Sequence, residues 1–362
     1  MTRQGVVRRV VAAAATVLLV SGIPGLTQGS AAAVTLTPRS VTMLAVGDLM
    51  CHTGQLSAAR SAGRYSFAPS FSAVAPIIKS ADLAVGNLET TLRGSGFSGY
   101  PRFRTPTSYA DALKDAGFDV LTTANNHALD GGASGVRYTT KYLDGLGIPN
   151  AGTNGRRWTI VTVKGVRIAL LPYTYATNGI SSPFAGAVSR IDYRAIQRDI
   201  ASARKVAEFV VVYLHWGTEY SMTPEETSRR LAHNLIDSGA DLILGSHPHV
   251  IRPVESYHGH YIVHSMGNFL SGQVRQYTDL GIMVRITIVR SGSGVRATGV
   301  EVMPVYRDRS PGRGTSTYRT VAIDRELSEP DRLISGADAG AMRSYRALCA
   351  RMFGSYYPGS TR

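Results

Sequence analysis

The sequence predicts an α/β fold, because short apolar runs alternate with amphipathic helical patterns along most of the chain. This alternation indicates a core sheet that is at least partly parallel. The chain has 362 residues, of which 44% are hydrophobic, so it can build a sizeable core and global disorder is excluded. Its two cysteines exclude a disulfide scaffold and a cysteine-rich zinc module.

In the first half of the chain, apolar runs predict strands, and helical patterns end at residues that stop helices. Gly117 ends one such helix, and Lys164 and Gly165 form the turn of a hairpin between two apolar runs. The predicted elements are a strand at 41–46, a helix at 70–78, a strand at 82–85, a helix at 108–116, a strand at 118–122 and a hairpin at 158–163 and 166–171.

In the second half, Ile196, Ile200 and Ala203 lie on one face of a predicted helix. The segment TPEE at 223–226 matches a capping box with proline at the first helical position. From about residue 291 the pattern weakens. The predicted elements are helices at 192–208 and 223–239, strands at 209–214, 242–244 and 261–264, a loop at 307–319 and a terminal helix at 337–352.

Residues 1–33 have the order of a secretory signal peptide. Arg3, Arg8 and Arg9 precede the apolar run 10–20, and small residues follow at 31–33. The run has eleven residues, fewer than the roughly 20 that a membrane-spanning helix needs. We expect cleavage after residue 33, a secreted or cell-envelope location and no transmembrane span in the mature chain. An uncleaved anchor or a buried hydrophobic helix is the alternative.

The charge balance predicts an anionic partner. The chain carries 39 Lys and Arg against 25 Asp and Glu, a formal charge of +14. Loss of the three arginines in 1–33 would leave +11. For an exported protein we expect no nucleic-acid partner, but rather an anionic envelope polymer or a phosphorylated substrate.

Side chains of metal-ligand types follow one predicted strand after another. In open α/β sheets ligands bind at the carboxyl ends of strands, so side chains from separate strand ends converge on one crevice. Recurrence at five strand ends therefore predicts a shared metal site. The residues are, in chain order, Asp48, His52, Asn87, Glu89, Asn125, Asn126, His127, Asp130, His215, His247 and His249.

The types of these side chains narrow the chemistry. Histidine, carboxylate and amide ligands without a thiolate cluster suit Mn, Zn or Fe, so we expect one or two divalent metal ions as cofactors. Two metals about 3.5–4 Å apart can share a hydroxide that attacks phosphorus in line. His127 suits a general acid that protonates the leaving oxygen.

Around these residues, several motifs occur in order and at regular spacing. They are GDLMCH at 47–52, GNLET at 86–90, FRTP at 103–106, NNHALD at 125–130, HWGTEY at 215–220, GSHPHV at 245–250 and SMGNF at 265–269. As a set they resemble the bacterial capsule synthesis protein CapA family. The resemblance covers residues 41–306, so we expect a CapA-type domain at 34–306 and a C-terminal extension at 307–362.

The resemblance implies a fold and a set of roles. The family is associated with poly-γ-glutamate capsule synthesis or export, and it is similar to calcineurin-like metallophosphoesterases, which fold as two packed mixed sheets flanked by helices. The implied roles are Asp48 and His249 as ligands of a first metal, Asn126, His215 and His247 as ligands of a second, and His127 as the proton donor.

Two positions depart from the wider phosphoesterase pattern. Met50 stands where that pattern has a histidine, and a thioether is a poor ligand for hard metals; His52 is the candidate replacement. Asn87 stands where the pattern has a bridging aspartate, and an amide cannot supply a bridging carboxylate; Glu89 is the better candidate. The departures leave open one metal or a changed metal preference.

Two further residues receive roles, and a few receive none. The motif match implies that Arg104 binds an anionic group of the substrate, as guanidinium groups do in bidentate pairs. Glu219 is predicted to orient His215 from behind. We expect the histidines at 258, 260 and 264 to form a hairpin region rather than a metal site. Whether Cys51 and Cys349 pair stays open.

Three functions fit the sequence. The leading hypothesis is an exported metal-dependent hydrolase that cleaves phosphoesters by metal-activated water in capsular or cell-envelope polymer biosynthesis. The alternative is a non-catalytic accessory protein that binds an anionic polymer and assists its export, within the capsule synthesis machinery. The third is amide-bond hydrolysis or transfer on a glutamate polymer. The net charge does not separate them, because phosphates and polyglutamate are both anions.

Overall fold

The computed structural model describes residues 39–292, 294–309 and 317–361. The predicted signal segment 1–33 lies outside the described residues. The strands are β1 (Arg39–Leu49), β2 (Arg60–Ser61), β3 (Arg64–Tyr65), β4 (Leu83–Leu88), β5 (Thr91–Arg93), β6 (Arg104–Pro106), β7 (Val120–Thr122), β8 (Asn150–Ala151), β9 (Thr159–Val163), β10 (Val166–Thr174), β11 (Phe209–His215), β12 (Leu242–Ser246), β13 (Ile251–Tyr257), β14 (His260–Met266), β15 (Asn268–Leu270), β16 (Leu280–Ser291), β17 (Gly294–Asp308) and β18 (Arg319–Ala322).

Helices connect many of these strands. They are α1 (Thr53–Ala59), α2 (Ala68–Phe71), α3 (Ala75–Lys79), α4 (Ser108–Ala116), α5 (Gly132–Gly145), α6 (Tyr193–Ala203), α7 (Glu226–Asp237), α8 (Ile323–Ser328) and α9 (Gly336–Phe353), followed by 3-10 turns at Gly354–Tyr356 and Pro358–Thr361. Among the described residues, no helix is both long enough and apolar enough to cross a membrane.

Two mixed sheets form the frame of the protein. The first has the order β18-β17-β16-β1-β4-β7-β8, with β15 also paired to β1, and the second has the order β13-β14-β12-β11-β10-β9. In each sheet the central pairs are parallel, as between β1 and β4 and between β11 and β12. The parallel strands are buried along their length and read as continuous apolar runs, which is why they could be found in the sequence.

The core lies between the two sheets. Val41, Met43 and Ala45 of β1 share one buried cluster with Val211 and Tyr213 of β11, because alternate residues of a strand face the same side. The Tyr213 hydroxyl donates to the Val46 carbonyl at 2.8 Å and so ties the sheets together. The opposite faces are covered by helices, α2 to α4 on the first sheet and α6 and α7 on the second. The predicted α/β architecture of two packed mixed sheets flanked by helices is confirmed.

Three local predictions of helices were wrong. The helix expected at 70–78 is two short helices, because Pro76 lies in the first turn of α3, where a missing N–H is tolerated. The helix expected from residue 192 to 208 ends at Ala203. The helix expected from Thr223 begins at Glu226, because the Glu225 carboxylate is bound elsewhere, to the Thr218 N–H and to Arg252.

Beyond residue 291 the chain is more regular than its pattern indicates. Strands β16 and β17 form a long hairpin, and β18 pairs with β17 in the same sheet. Helix α9 brings Met342, Cys349 and Phe353 into the cluster between the sheets. The described part of the segment 307–362 therefore contributes residues of β18, α8 and α9 to the main core. Cys349 and Cys51 are both free and buried, in different core clusters, so they form no disulfide.

Candidate metal centre

The carboxyl ends of the central strands bring the predicted side chains together. The register of the parallel pairs places Asp48 beside Asn87 on β4 and beside Asn268 on β15, and places His215 beside Ser246 on β12. Because both sheets contribute strand ends to one edge of the sandwich, residues far apart in sequence become neighbours. The site is built on rigid strand ends and on the short turns that follow them.

Asp48 is a fully buried carboxylate at the centre of this edge. It accepts from Asn87 Nδ2 at 2.9 Å and from the His247 backbone N–H at 3.3 Å, and its Oδ2 lies 3.2 Å from His249 Nδ1. Burial by itself would raise the pKa of Asp48, but the hydrogen bonds from His249 and Asn87 outweigh it and hold the pKa well below its usual range. Asp48 is therefore an anion at neutral pH.

Glu89 has no such support. Its side chain is fully buried, and neither carboxylate oxygen has a hydrogen-bond partner among the described residues. Burial and the adjacent charge of Asp48 raise the pKa of Glu89 well above its usual range. Buried carboxylates are nearly always paired or bound to a metal, so this arrangement fits a cation that lies between Glu89 and Asp48.

Asn87 acts as a hydrogen-bond donor rather than as a ligand. Its Nδ2 faces Asp48 Oδ1 at 2.9 Å and His215 Nδ1 at 3.2 Å, while its Oδ1 accepts from Asn125 Nδ2 at 3.2 Å. The amide thus orients an acid and an imidazole at once. A carboxylate at this position would instead repel Asp48.

His215 is held on both ring nitrogens. Its Nδ1 lies 3.0 Å from the Ser246 hydroxyl, and its Nε2 lies 2.7 Å from Asn126 Oδ1 and 3.6 Å from Glu89 Oε1. Burial, and then the neighbouring His247, lower the pKa of His215 well below its usual range. The imidazole is neutral at pH 7, as a metal ligand must be.

His247 and His249 lie on the turn after β12 in strained backbone conformations. Their φ angles are +99° and +60°, a left-handed region that costs a non-glycine residue about 1–3 kcal/mol. Such strain persists only where surrounding contacts enforce it, and here the turn aims both rings into the site. Burial, and then the charge of His249, lower the pKa of His247 to about 3. Its buried Nδ1 has no hydrogen-bond partner within the described residues. His249 Nδ1 lies 3.0 Å from Asn268 Oδ1.

Among the residues that the structure describes, two groups of ligand atoms are close enough to hold a cation. In each group, one donor atom from every residue lies within 4.8 Å of the others. The first group is Asp48, Glu89 and His249, and the second is Glu219, His247 and His249. His249 belongs to both groups, so the two candidate positions are adjacent.

His127 lies beside this cluster with its own acidic partner. Its Nδ1 is 2.7 Å from Asp130 Oδ2, which also accepts from the Phe103 N–H at 2.6 Å. Asn178 Nδ2 is 3.4 Å from both ring nitrogens, and Asn178 Oδ1 accepts from Asn126 Nδ2. These side chains line a cavity of about 340 Å³, whose wall also includes Tyr100, Pro101, Arg102, Asn126, Ile180 and Glu219.

Three predicted residues stand apart from their expected positions. Glu219 is exposed and grouped with His247 and His249, whereas the nitrogens of His215 are taken by other partners. His52 is outside both ligand groups; it caps α1, and its Nδ1 accepts from the Gly272 N–H at 3.1 Å. Arg104 lies on β6, and the arginine that lines the cavity is Arg102.

Sequence reasoning missed several residues that hold the site. Ser246, Asn268 and Asn178 each contact a predicted ligand or proton donor. Ser246 and Asn268 lie within the motifs at 245–250 and 265–269, at the end of β12 and the start of β15, whereas Asn178 lies on a turn outside the motifs named above. Only the spatial proximity to His215, His249 and His127 gives them a role.

The family model of the bacterial capsule synthesis protein PGA_cap matches residues 42–273, which is more than half of the chain. The chain belongs to this family. The match confirms the resemblance expected from the motifs, and it includes every residue of the two ligand groups and the His127–Asp130 pair.

Relatives in the family and a solved structure add detail. The chain is 33% identical over 238 residues to the PGA biosynthesis protein CapA of Bacillus subtilis, covering 62% of this chain and 62% of that protein. It is 28% identical over 309 residues to the capsule biosynthesis protein CapA of Bacillus anthracis, covering 80% of this chain and 73% of that protein. The calcineurin-like phosphoesterase YfkN from Bacillus subtilis overlaps 87% of this chain and 100% of its own, at 12% identity and a TM-score of 0.45.

Proposed function

We propose that this protein is a metal-dependent hydrolase of the phosphoesterase type that acts in the biosynthesis of a capsular or cell-envelope polymer. The carboxylate of Glu89 carries the proposal. It is fully buried, lacks hydrogen-bond partners in the part of the chain that the structure describes, and lies beside the anionic Asp48. Two adjacent buried acids without a cation are unfavourable, so the site fits a divalent ion.

The residues that would hold metal are those of the two ligand groups. Asp48, Glu89 and His249 would hold an ion at one position, or Glu219, His247 and His249 at the adjacent one, because the neutral imidazole of His249 has a single lone pair free for a metal. His215 Nε2 and Asn126 Oδ1, 2.7 Å apart, lie beside Glu89 at the same edge. The donor set of carboxylates, imidazoles and an amide suits Mn, Zn or Fe. A bound divalent ion supplies Lewis acidity and an acidified water at neutral pH.

The chain supplies the proton chemistry. His127 faces the cavity next to Asn126, and Asp130 accepts from its Nδ1 and stabilises the imidazolium. The second ring nitrogen of His127 can then give its proton to a leaving oxygen. Asn178 spans His127 and Asn126 and so holds the proton donor at a fixed position relative to the ligands.

The substrate class follows from charge and from the relatives. Arg102 and the exposed Tyr100 lie at the cavity, and the chain is strongly basic, which favours an anionic substrate. The curated relatives are named for PGA and capsule biosynthesis. We infer an anionic capsular polymer or a phosphorylated precursor of one, encountered at the cell envelope after export.

One observation favours a second function. Asn87 donates to Asp48 where the wider phosphoesterase pattern has a bridging carboxylate. A weakened pair of metal positions would suit an accessory protein that binds an anionic polymer and assists its export without cleaving it. The buried His127–Asp130 pair favours the hydrolase, because polymer binding at a surface needs no proton donor at the metal edge.

The test is to measure bound metal in the purified protein and to assay a generic phosphate ester beside poly-γ-glutamate. His247→Ala should abolish metal-dependent ester turnover. His258→Ala is the matched control, because His258 is an exposed histidine on a hairpin turn away from the site. Polymer binding without turnover, unchanged in His247→Ala, would replace the hydrolase with the accessory function.

A further inference from the structure

Arg252 is a buried arginine behind the metal centre with no place among the ligands. It lies on β13, three residues after His249, and its side chain is 1% exposed. A buried guanidinium needs partners for its five N–H groups, because an unpaired buried charge is strongly destabilising. The identity of those partners shows what the residue does.

Among the described residues, every hydrogen-bond partner of the Arg252 side chain lies in the loop 217–225, between β11 and α7. Its Nε donates to the Ser221 carbonyl at 2.7 Å, and its Nη2 donates to the Thr218 carbonyl at 3.0 Å. Its Nη1 and Nη2 form a two-pronged pair with the Glu225 carboxylate at 2.9 and 3.0 Å. Glu225 in turn accepts from the Thr218 N–H at 2.7 Å.

These contacts bracket Glu219. Thr218 precedes it, and Ser221 follows it by two residues, so the guanidinium fixes the backbone on both sides. Tyr220 between them has a φ of +64° and donates its N–H to the Pro248 carbonyl at 2.8 Å, which joins the loop to the turn that carries His247 and His249. Glu219 is thereby held within 4.8 Å of those two histidines although it is exposed.

The loop packs tightly against the guanidinium of Arg252. A Cβ atom added at Gly217 would lie 2.5 Å from Arg252 Nη1, and Gly217 itself has a φ of +90°. Lysine could not reproduce the arrangement, because a single ammonium cannot bind two carbonyls and both carboxylate oxygens in one plane.

We infer that Arg252 is a positioning residue that sets metal affinity by clamping the loop 217–225, so that Glu219 completes the ligand group with His247 and His249. The inference rests on the proposed metal site and goes beyond it, since Arg252 touches no ligand atom of either group in the described structure. It also assigns Glu219 to direct metal binding.

The experiment is a double-mutant cycle read out by titration calorimetry with Mn²⁺ alone, with no substrate present. Arg252→Lys and Glu219→Gln should each lower the affinity for Mn²⁺ by about 10-fold or more, the loss typical of residues that orient metal ligands. The double variant should bind Mn²⁺ no more weakly than the weaker of the two single variants, because both substitutions remove the same ligand. Arg319→Lys disrupts another buried arginine pair, with Asp308, and should leave Mn²⁺ affinity unchanged.

Glu225→Gln provides a second route if Arg252→Lys fails to fold. This substitution removes the charge of the half-buried partner of Arg252, while the guanidinium keeps its hydrogen bonds to the Thr218 and Ser221 carbonyls. Glu225→Gln should therefore lower the affinity for Mn²⁺ by a smaller factor and show the same coupling to Glu219→Gln. If the losses of Mn²⁺ affinity from the Arg252 and Glu219 substitutions multiply in the double variant, the two residues act independently and the inference is overturned. The proposed metal site would be unaffected by that result. No Mn²⁺ binding by the wild type would overturn the proposed function and this inference together.

Discussion

The Oδ2 atom of Asp130 lies 2.7 Å from Nδ1 of His127, and both side chains are buried at the wall of the cavity. The same oxygen accepts the Phe103 N–H, so the carboxylate cannot rotate away without losing a backbone hydrogen bond. The Phe103 ring also packs edge-on against His127 with centroids 4.5 Å apart. The imidazole therefore has one orientation, with one nitrogen committed to the acid.

Asp130→Asn should separate proton transfer from metal binding. The amide keeps the size of the side chain but cannot stabilise a charged His127, so the rate constant for ester cleavage should fall about 100-fold or more. Affinity for Mn²⁺ should stay within a factor of about three, because Asp130 belongs to neither ligand group. Steady-state kinetics and calorimetry measure the two quantities.

The matched control is Asp144→Asn, which changes an exposed aspartate bound to Arg156 on the surface. It should alter neither the rate constant for ester cleavage nor the affinity for Mn²⁺. An equal loss of metal and activity in Asp130→Asn would show that Asp130 holds the ligands rather than the proton donor.

Glu89→Gln should make the metal-free protein more stable and should weaken its binding of Mn²⁺. The raised pKa of Glu89 means that folding opposes its ionisation, so this carboxyl lowers stability as the pH rises above its ordinary value. Removing the ionisable group should stabilise the metal-free protein at pH 8 by about 1–3 kcal/mol. The gain should vanish at pH 4, where the carboxyl is protonated in both states.

Thermal melts with and without Mn²⁺ test this prediction. Wild type should melt at a higher temperature when Mn²⁺ is added, and Glu89→Gln should lose that response. Glu301→Gln, at a partly exposed position on β17, is the control and should keep it. A metal-free Glu89→Gln that is less stable than wild type at pH 8 would contradict an unpaired carboxylate.

The cluster of candidate ligands could be predicted from the sequence because the ends of buried strands can be recognised there. Each buried parallel strand is a run of apolar residues, and the polar residue that follows it marks the carboxyl end. His215 and His247 could therefore be assigned to one edge of the sandwich from the sequence alone. The position of Glu219 could not, because it depends on Arg252, which reaches the loop 217–225 from a neighbouring strand.

The C-terminal third was harder for a different reason. The first half of β17 is partly exposed and contains Arg296, Thr298 and Gly299, so it shows no apolar run. Its pairing with β16 supplies the hydrogen bonds that define it as a strand. In the same way, the helix expected at 70–78 looked continuous because its apolar spacing is helical, while Pro76 imposes a new start.

Acid should destabilise the metal-free protein before its ordinary carboxylates titrate. Burial, and then the charge of His249, lower the pKa of His247 to about 3 and that of His52 to about 4. Between these values and about 6.5 the unfolded chain binds protons that the folded chain does not. These histidines, together with His215, should therefore lower the free energy of unfolding as the pH drops through this window, against the opposite contribution of Glu89. Asp48 should add to the fall at lower pH.

Urea unfolding in chelator from pH 4.5 to 7.5 measures that slope. His247→Gln should flatten it by removing one of the groups that protonate only on unfolding. His258→Gln, at an exposed turn, should leave the slope as in wild type. Identical slopes in wild type and His247→Gln would mean that His247 binds its proton as readily in the folded protein as in the unfolded chain.

Gly47 allows β1 to deliver Asp48 to the centre of the site. A Cβ atom at this position would lie 1.9 Å from the Gly267 carbonyl oxygen, which belongs to the backbone and cannot swing aside. The same carbonyl accepts the Asp48 N–H at 3.0 Å, so displacing it would move the aspartate as well. Stability and metal binding therefore depend on the same close approach.

Gly47→Ala should destabilise the protein by about 1–3 kcal/mol, as overpacking does, and should weaken Mn²⁺ binding at the same time. Gly145→Ala is the matched control: it lies at the end of α5 with open space around it, and alanine favours a helix, so stability should hold or rise slightly. Urea midpoints and calorimetry measure both variants. Wild-type Mn²⁺ affinity in a destabilised Gly47→Ala would show that Asp48 keeps its place without the contact between Gly47 and Gly267, and that its hydrogen bonds to Asn87 and His249 position it instead.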